Sequence, residues 1–149
     1  MTPSELQLYL RESIPLSRAM EVSVVSVTAD SVVLSAPLAP NINHRETAFG
    51  GSMSALAILA AWSLLLTRLK AEGLDARLVI QRNEMEYERP IQGEFTARSA
   101  LADPDQWQQF CRMLTRKGRA RITLTAVVES AGQVAGRLTG DRAADRRDP

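Results

Sequence analysis

At 149 residues, 45% of them apolar and 23% charged, the chain has room for one folded domain with a real core and falls in the ordinary range of soluble globular proteins. A formal net charge of +1 excludes the broad field that draws proteins to nucleic acid or to an anionic membrane. A single cysteine, Cys111, excludes an internal disulfide and a multi-cysteine metal site, and a single histidine, His44, excludes a polyhistidine metal centre.

The N-terminus carries neither a basic region nor an apolar signal core, so a cytoplasmic protein is expected. Thr2-Pro3-Ser4-Glu5 is a capping box with proline at the first helical position, and Leu6, Tyr9 and Leu10 form one stripe. A short amphipathic helix is predicted, broken near Ile14-Pro15. Glu21–Ala29 is strand-like, with a change of apolar face that suggests a bulge. Asp30-Ser31 turns the chain into a second strand, Val32, Leu34 and Ala36, ended by Pro37.

After a loop over 38–46 comes the most unusual stretch. From Thr47 to Thr67 no residue is charged, and from Met53 to Leu66 only Ser54 and Ser63 are polar. A helix apolar on every side is buried on every side. Its uncharged length approaches the ~20 residues of a membrane span, but the glycines, serines and threonines dilute it. A span would also leave flanking pieces too small to fold well. Gly50-Gly51-Ser52 falls at the helix start, where backbone N–H groups lack helical partners and the dipole is positive. Close packing would explain the glycines; so would approach by a ligand oxygen.

Gly73 ends this helix after Arg68 and Lys70. A third strand is predicted over Ala76–Glu88, with Leu78 and Ile80 out of phase with Met85 and Tyr87, so again with a bulge. Arg89–Gly93 turns into a fourth strand, Glu94–Ala100. Asp103-Pro104-Asp105-Gln106 is a second capping box, and Trp107, Phe110, Cys111 and Leu114 give a helical stripe ended by Gly118. Ile122–Val128 and Val134–Thr139 are the fifth and sixth strands, turning at Ser130–Gln133. Asp141–Pro149, mixed in charge and almost without large apolar groups, is expected to be a frayed tail behind a domain spanning 1–140. The strands pair off as three hairpins. The fold class is therefore α+β, an antiparallel sheet of about six strands curled around one helix.

Asn43-His44-x-x-Thr47-Ala48-Phe49-Gly50-Gly51-Ser52, leading into Ala55-Leu56-Ala57-x-Leu59-Ala60-x-Trp62, resembles the hotdog-fold thioesterases. More closely, it is similar to the thioesterase-like domain that in some bacteria is joined to an acetyltransferase. Tyr87-x-x-Pro90 leading into Gly93-Glu94-Phe95-Thr96-Ala97 fits the same pattern. The resemblance implies an acyl thioester of coenzyme A or acyl carrier protein, bound where subunits of a homodimer or tetramer meet, with no cofactor. The thioester carbonyl would face the Gly50 and Gly51 amides, with Phe49 and Ser52 beside it. Asn43 matches the spacing of a family asparagine that places water or carbonyl; a turn residue would look the same. His44 and Glu46 are titratable neighbours, or a loop anchor and a dipole-compensating charge. Asn83 and Glu84 lie on the third strand, which in such dimers approaches the partner's site; a solvated face would read alike. Arg116 and Arg119, in the basic run 116–121, would meet coenzyme A phosphates or merely compensate a helix end. One departure stands out. Many family members carry an acid two turns into the helix, and here that part reads Ala55-Leu56-Ala57-Ile58-Leu59. A module that binds a thioester without cleaving it is the alternative.

Overall fold

The structure, a computed structural model, describes residues 1–146. The central helix runs Gly50–Ala71 (α3). Leu56, Ala57, Ala60, Ala61 and Leu64 on it are fully buried. Three of those are alanines, so strands can approach the helix backbone closely, while each buried leucine contributes roughly 1.5–3 kcal/mol. The helix is long and apolar enough to cross a membrane, but 61% of its most apolar window is buried by the rest of the chain. Protein, rather than lipid, covers it.

The wrapping is a six-stranded antiparallel sheet: β1 (Ser23–Val27), β2 (Ser31–Ala36), β3 (Ala76–Tyr87), β4 (Phe95–Ala100), β5 (Arg119–Ser130) and β6 (Gln133–Arg146). Spatial order is β1-β2-β4-β5-β6-β3. On β5 the inward residues Ala120, Ile122, Leu124, Ala126 and Val128 are buried while Arg119, Arg121, Thr123 and Thr125 are exposed, the period-two pattern of a sheet covered on one face. Bulges fall at Val24/Ser26 and at Ile80/Arg82, where the apolar faces change phase.

One end of the sheet is protected and the other bare. The helix α1 (Pro3–Ser13) starts with the capping box formed by Thr2 and Glu5 and lies against β1. Its Arg11 donates twice to the Val22 carbonyl, at 2.8 and 3.1 Å, and the Gln7 side chain accepts from Val24 N–H at 2.9 Å. Tyr9 stacks on Trp62 of α3 at 6.1 Å. Strand β3, at the opposite edge, pairs only with β6 among the described residues, and it exposes Val79, Ile80 and Tyr87.

The structure corrects four expectations. Strands β3 and β4 are not a hairpin. The link between them carries buried Ile91, whose carbonyl accepts from Ala48 N–H at 2.9 Å, so the chain crosses beneath the helix tip and places the strands on opposite sides of the sheet. The expected tail is strand as far as Arg146, because β3 and β5 hydrogen-bond it from both sides and so hold it without large side chains; 147–149 lie outside the described residues. A further short helix, Pro15–Ala19 (α2), follows the break at Ile14, with Pro15 at its first position. The helix α4 (Pro104–Lys117) is capped by Asp103 accepting from Asp105 N–H at 2.9 Å; Gln106 does not reciprocate and reaches the Thr123 carbonyl at 3.4 Å.

Candidate active site

Loop 41–49 aims the tip of α3. The side chain of buried Asn41 donates to the carbonyls of Met20 and Pro37, at 3.0 and 2.8 Å, and its backbone carbonyl accepts from Phe49 N–H at 2.8 Å. Asn43 binds within the loop at both ends of its amide. Its oxygen accepts from Arg45 N–H and Thr47 N–H at 2.8 and 3.2 Å, and its nitrogen donates to Thr47 Oγ1 at 3.0 Å. Asn43 thus builds the turn, its amide nitrogen also lying 3.5 Å from the Ala48 carbonyl. His44 and Glu46 are exposed on that turn, and Glu46 sits at φ 64°, a left-handed conformation that favours glycine.

At the tip, Ser52 N–H and Met53 N–H turn back to the Phe49 carbonyl, at 2.9 and 3.1 Å. Gly50 N–H and Gly51 N–H have no acceptor among the described residues, and no side chain caps the helix. Two aromatic rings flank these bare donors. A methyl on Gly50 would stand 3.3 Å from Tyr87 Cε1, and one on Gly51 would press into the Phe49 ring. Both rings are more than half exposed, Phe49 at 58% and Tyr87 at 55%. The Tyr87 hydroxyl lies 3.2 Å from the Gly50 carbonyl and 2.8 Å from Ser54 Oγ. Donors at the positive end of a dipole, open to solvent between apolar walls, can hold an anionic or carbonyl oxygen attached to an apolar group.

Sequence reasoning named Phe49, Gly50, Gly51 and Ser52, which follow one another at the start of α3. It missed Tyr87 and Ser54 as site residues.

The other expected residues lie elsewhere in one chain. Asn83 is on the inner face of β3, opposite Gly140, while Glu84 shares the outer face with Glu86 and makes a 4.0 Å contact with Arg82. Arg119 pairs with Asp145 at 2.8 Å, and Arg116 is exposed in the last turn of α4. Along β5, Arg119 is nine residues from Val128, the partner of Gly136, which puts it about 30 Å from the tip end of the sheet. An open cleft of about 760 Å³ does lie beside Arg119, bounded by Arg121, Gln81, Val79, Phe110 and Met113 on the outer face. Its Arg119 is already neutralised by Asp145, so free donors and exposed rings favour the helix tip as the reactive centre. Cys111, packed on the α4 stripe, has its thiol pushed up by burial, as befits core filling.

A six-stranded antiparallel sheet curled around one long helix is the hotdog fold. The chain belongs to the family described as "Putative thioesterase (yiiD_Cterm)", whose model matches residues 3–144. Among solved structures it is similar to a protein of unknown function from Chlorobaculum tepidum, 28% identical over 98% of each chain with a TM-score of 0.91. It is also similar to a "putative thioesterase" from Shewanella oneidensis, 22% identical over 97% of each chain with a TM-score of 0.85. A "Probable Thioesterase" from Pseudomonas aeruginosa is 21% identical over 97% of each chain, with a TM-score of 0.83. The last two likenesses carry the fold alone. No curated protein matches.

Proposed function

We propose that the protein is a homodimeric, cytoplasmic acyl-thioester hydrolase whose substrate is an acyl group carried on coenzyme A or acyl carrier protein. The supporting observation is the pair of unpartnered amides, Gly50 and Gly51, between the exposed Phe49 and Tyr87 rings. Water attacks the thioester carbon, the carbonyl π electrons move to oxygen, and the two N–H groups hold the charge that develops there. Collapse of the tetrahedral intermediate expels the thiolate, which leaves as thiol once protonated, and the acid is released. Oxyanion stabilisation of this kind commonly lowers the barrier to acyl transfer more than any other single effect. Asn43 acts by holding the loop. His44 and Glu46, exposed beside the tip, are the candidate proton acceptors, since the helix offers no carboxylate in its first three turns.

The dimer follows from β3. A long bare edge with exposed Val79 and Ile80 invites a second strand. Antiparallel pairing of two β3 strands brings the Val79 end of one chain toward the Tyr87 end of the other. Asn83 and Glu84, in the middle of the strand, fall at the junction.

Steady-state assays over acyl-coenzyme A chain lengths test the reading. Turnover above background that falls in His44→Ala or Glu46→Ala is expected; no turnover on any length overturns it. The acid-free stretch Ala55–Leu59 favours a second reading, a module that binds the thioester and leaves it intact. Saturable binding with no turnover selects that one.

A further inference from the structure

Arg142 on β6 is the largest fully buried side chain, 1% exposed, and among the described residues none of its three guanidinium nitrogens has a hydrogen-bond partner. A buried cation without a counter-charge is strongly destabilising. Burial accordingly holds its pKa below the ordinary arginine value, opposed in part by the charge of Asp141. Asp141 cannot neutralise it by contact. Its carboxylate accepts from Thr123 Oγ1 at 2.6 Å on the exposed face, whereas Arg142 stands on the inner face, opposite Ile122 and Ile80.

The surroundings form a row. On the inner face of β6, Gly136, Leu138, Gly140 and Arg142 succeed one another. At both glycines the space of the missing side chain is filled by flexible side-chain ends and by one β3 carbonyl each, Glu86 O at 3.0 Å from the Cβ position of Gly136 and Arg82 O at 3.2 Å from that of Gly140. Met85 Cε and Met53 Cε lie 2.7 and 3.3 Å from the Cβ position of Gly136; Arg142 Nη1 lies 2.6 Å from that of Gly140, with Asn83 Oδ1 over the same place. The guanidinium therefore leans back along the strand toward the helix tip. Gly136 pairs with Tyr87, whose hydroxyl touches Gly50. From there to Gly140 is about 13 Å at ~3.3 Å per residue. Methionine tips give way more readily than branched side chains.

We propose that this row is the acyl-chain track and that Arg142, with Asn83 beside it, receives a carboxylate at the far end of the acyl group. The favoured substrate is then the monothioester of a dicarboxylic acid of medium length. The inference deepens the thioesterase reading and rests on it for the word substrate, but the anion site itself needs no turnover.

The test uses the full chain and free acids, read by calorimetry and thermal unfolding. A series from succinate to sebacate should show an optimum at medium length. Suberate should bind about tenfold or more tightly than octanoate, the difference expected of one charge-assisted pair. Arg142→Met should unfold at higher temperature than wild type without ligand, because an unpaired charge has been replaced by a pliable apolar chain, and should lose the preference for suberate. Octanoate matching suberate overturns the proposal, as does an Arg142→Met protein that is less stable than wild type. Arg142→Lys keeps a charge, and so should keep part of the preference; an unchanged preference in Arg142→Met with full folding also overturns it. Suberate binding without hydrolysis of any thioester counts against the enzyme alone. Hydrolysis with no preference for an ω-carboxylate counts against this site alone.

Discussion

The Tyr87 hydroxyl donates to the Gly50 carbonyl at 3.2 Å, and that carbonyl belongs to the same peptide group as the unpartnered Gly51 N–H. A donor on the oxygen of a peptide polarises it and makes its N–H a stronger donor in turn. The edge strand thus acts on the helix tip through one peptide plane. Tyr87→Phe keeps the ring over Gly50 and removes the hydroxyl. We expect kcat to fall about fivefold, the effect of about 1 kcal/mol at the transition state, with KM nearly constant and Tm unmoved because the hydroxyl is exposed. A parallel loss of Tm and kcat would make Tyr87 a structural residue only.

Gly51→Ala separates stability from chemistry. Gly51 has no positive φ, so alanine fits the backbone and favours the helix by up to about 1 kcal/mol. Its methyl meets the Phe49 ring, 3.0 Å from Cδ2, and the exposed ring must swing away or across the amides. The variant should melt at or above the wild-type temperature while kcat/KM drops about tenfold. Unfolding curves and steady-state rates on the same preparation check both halves.

The proposed dimer rests on the bare β3 edge. Val79→Lys sets a charge on that exposed edge strand, a natural device against strand pairing. Light scattering should find wild type at twice the chain mass at micromolar concentration and the variant shifted toward monomer, with lower activity. A monomeric wild type would remove the two-subunit site.

Asp145 ties β6 to its neighbours through Arg119 at 2.8 Å and Arg77 at 3.5 Å. The hydrogen bond from Arg119, foremost, holds its carboxyl below the ordinary 3.8. A depressed carboxylate stabilises the fold above the unfolded pKa and loses that contribution as pH falls through the folded one. Wild type should therefore exceed Asp145→Asn in stability at neutral pH, and the gap should close below about pH 4. Both arginines are exposed, so the gap should also shrink with salt.

The central helix was legible because Thr47–Thr67 has no charge, and its glycine start because those residues stand alone before an apolar run. The bulges showed in the phase shift between Ile80 and Met85. The partner of β3 did not show. Local pattern joins it to β4 across a short turn, whereas buried Ile91 and its bond to Ala48 carry the link under the helix. The strand at 141–146 was hidden because its stability comes from two neighbouring strands and small alanines, which leave little trace in hydropathy. Asn43 had the right spacing for chemistry and the right type for a turn; the bonds to Arg45 and Thr47 show the turn. Tyr87 and Arg142 owe their interest to contacts made, or missing, across the sheet.

The most direct measurement is on the amides themselves. With ¹⁵N-glycine-labelled protein, a non-hydrolysable acyl-coenzyme A analogue that keeps the carbonyl but replaces sulfur by methylene should shift the Gly50 and Gly51 N–H resonances downfield on saturation and slow their exchange. Gly73, at positive φ just beyond the opposite end of the helix, should stay put. Saturable binding that leaves Gly50 and Gly51 unmoved would contradict the account.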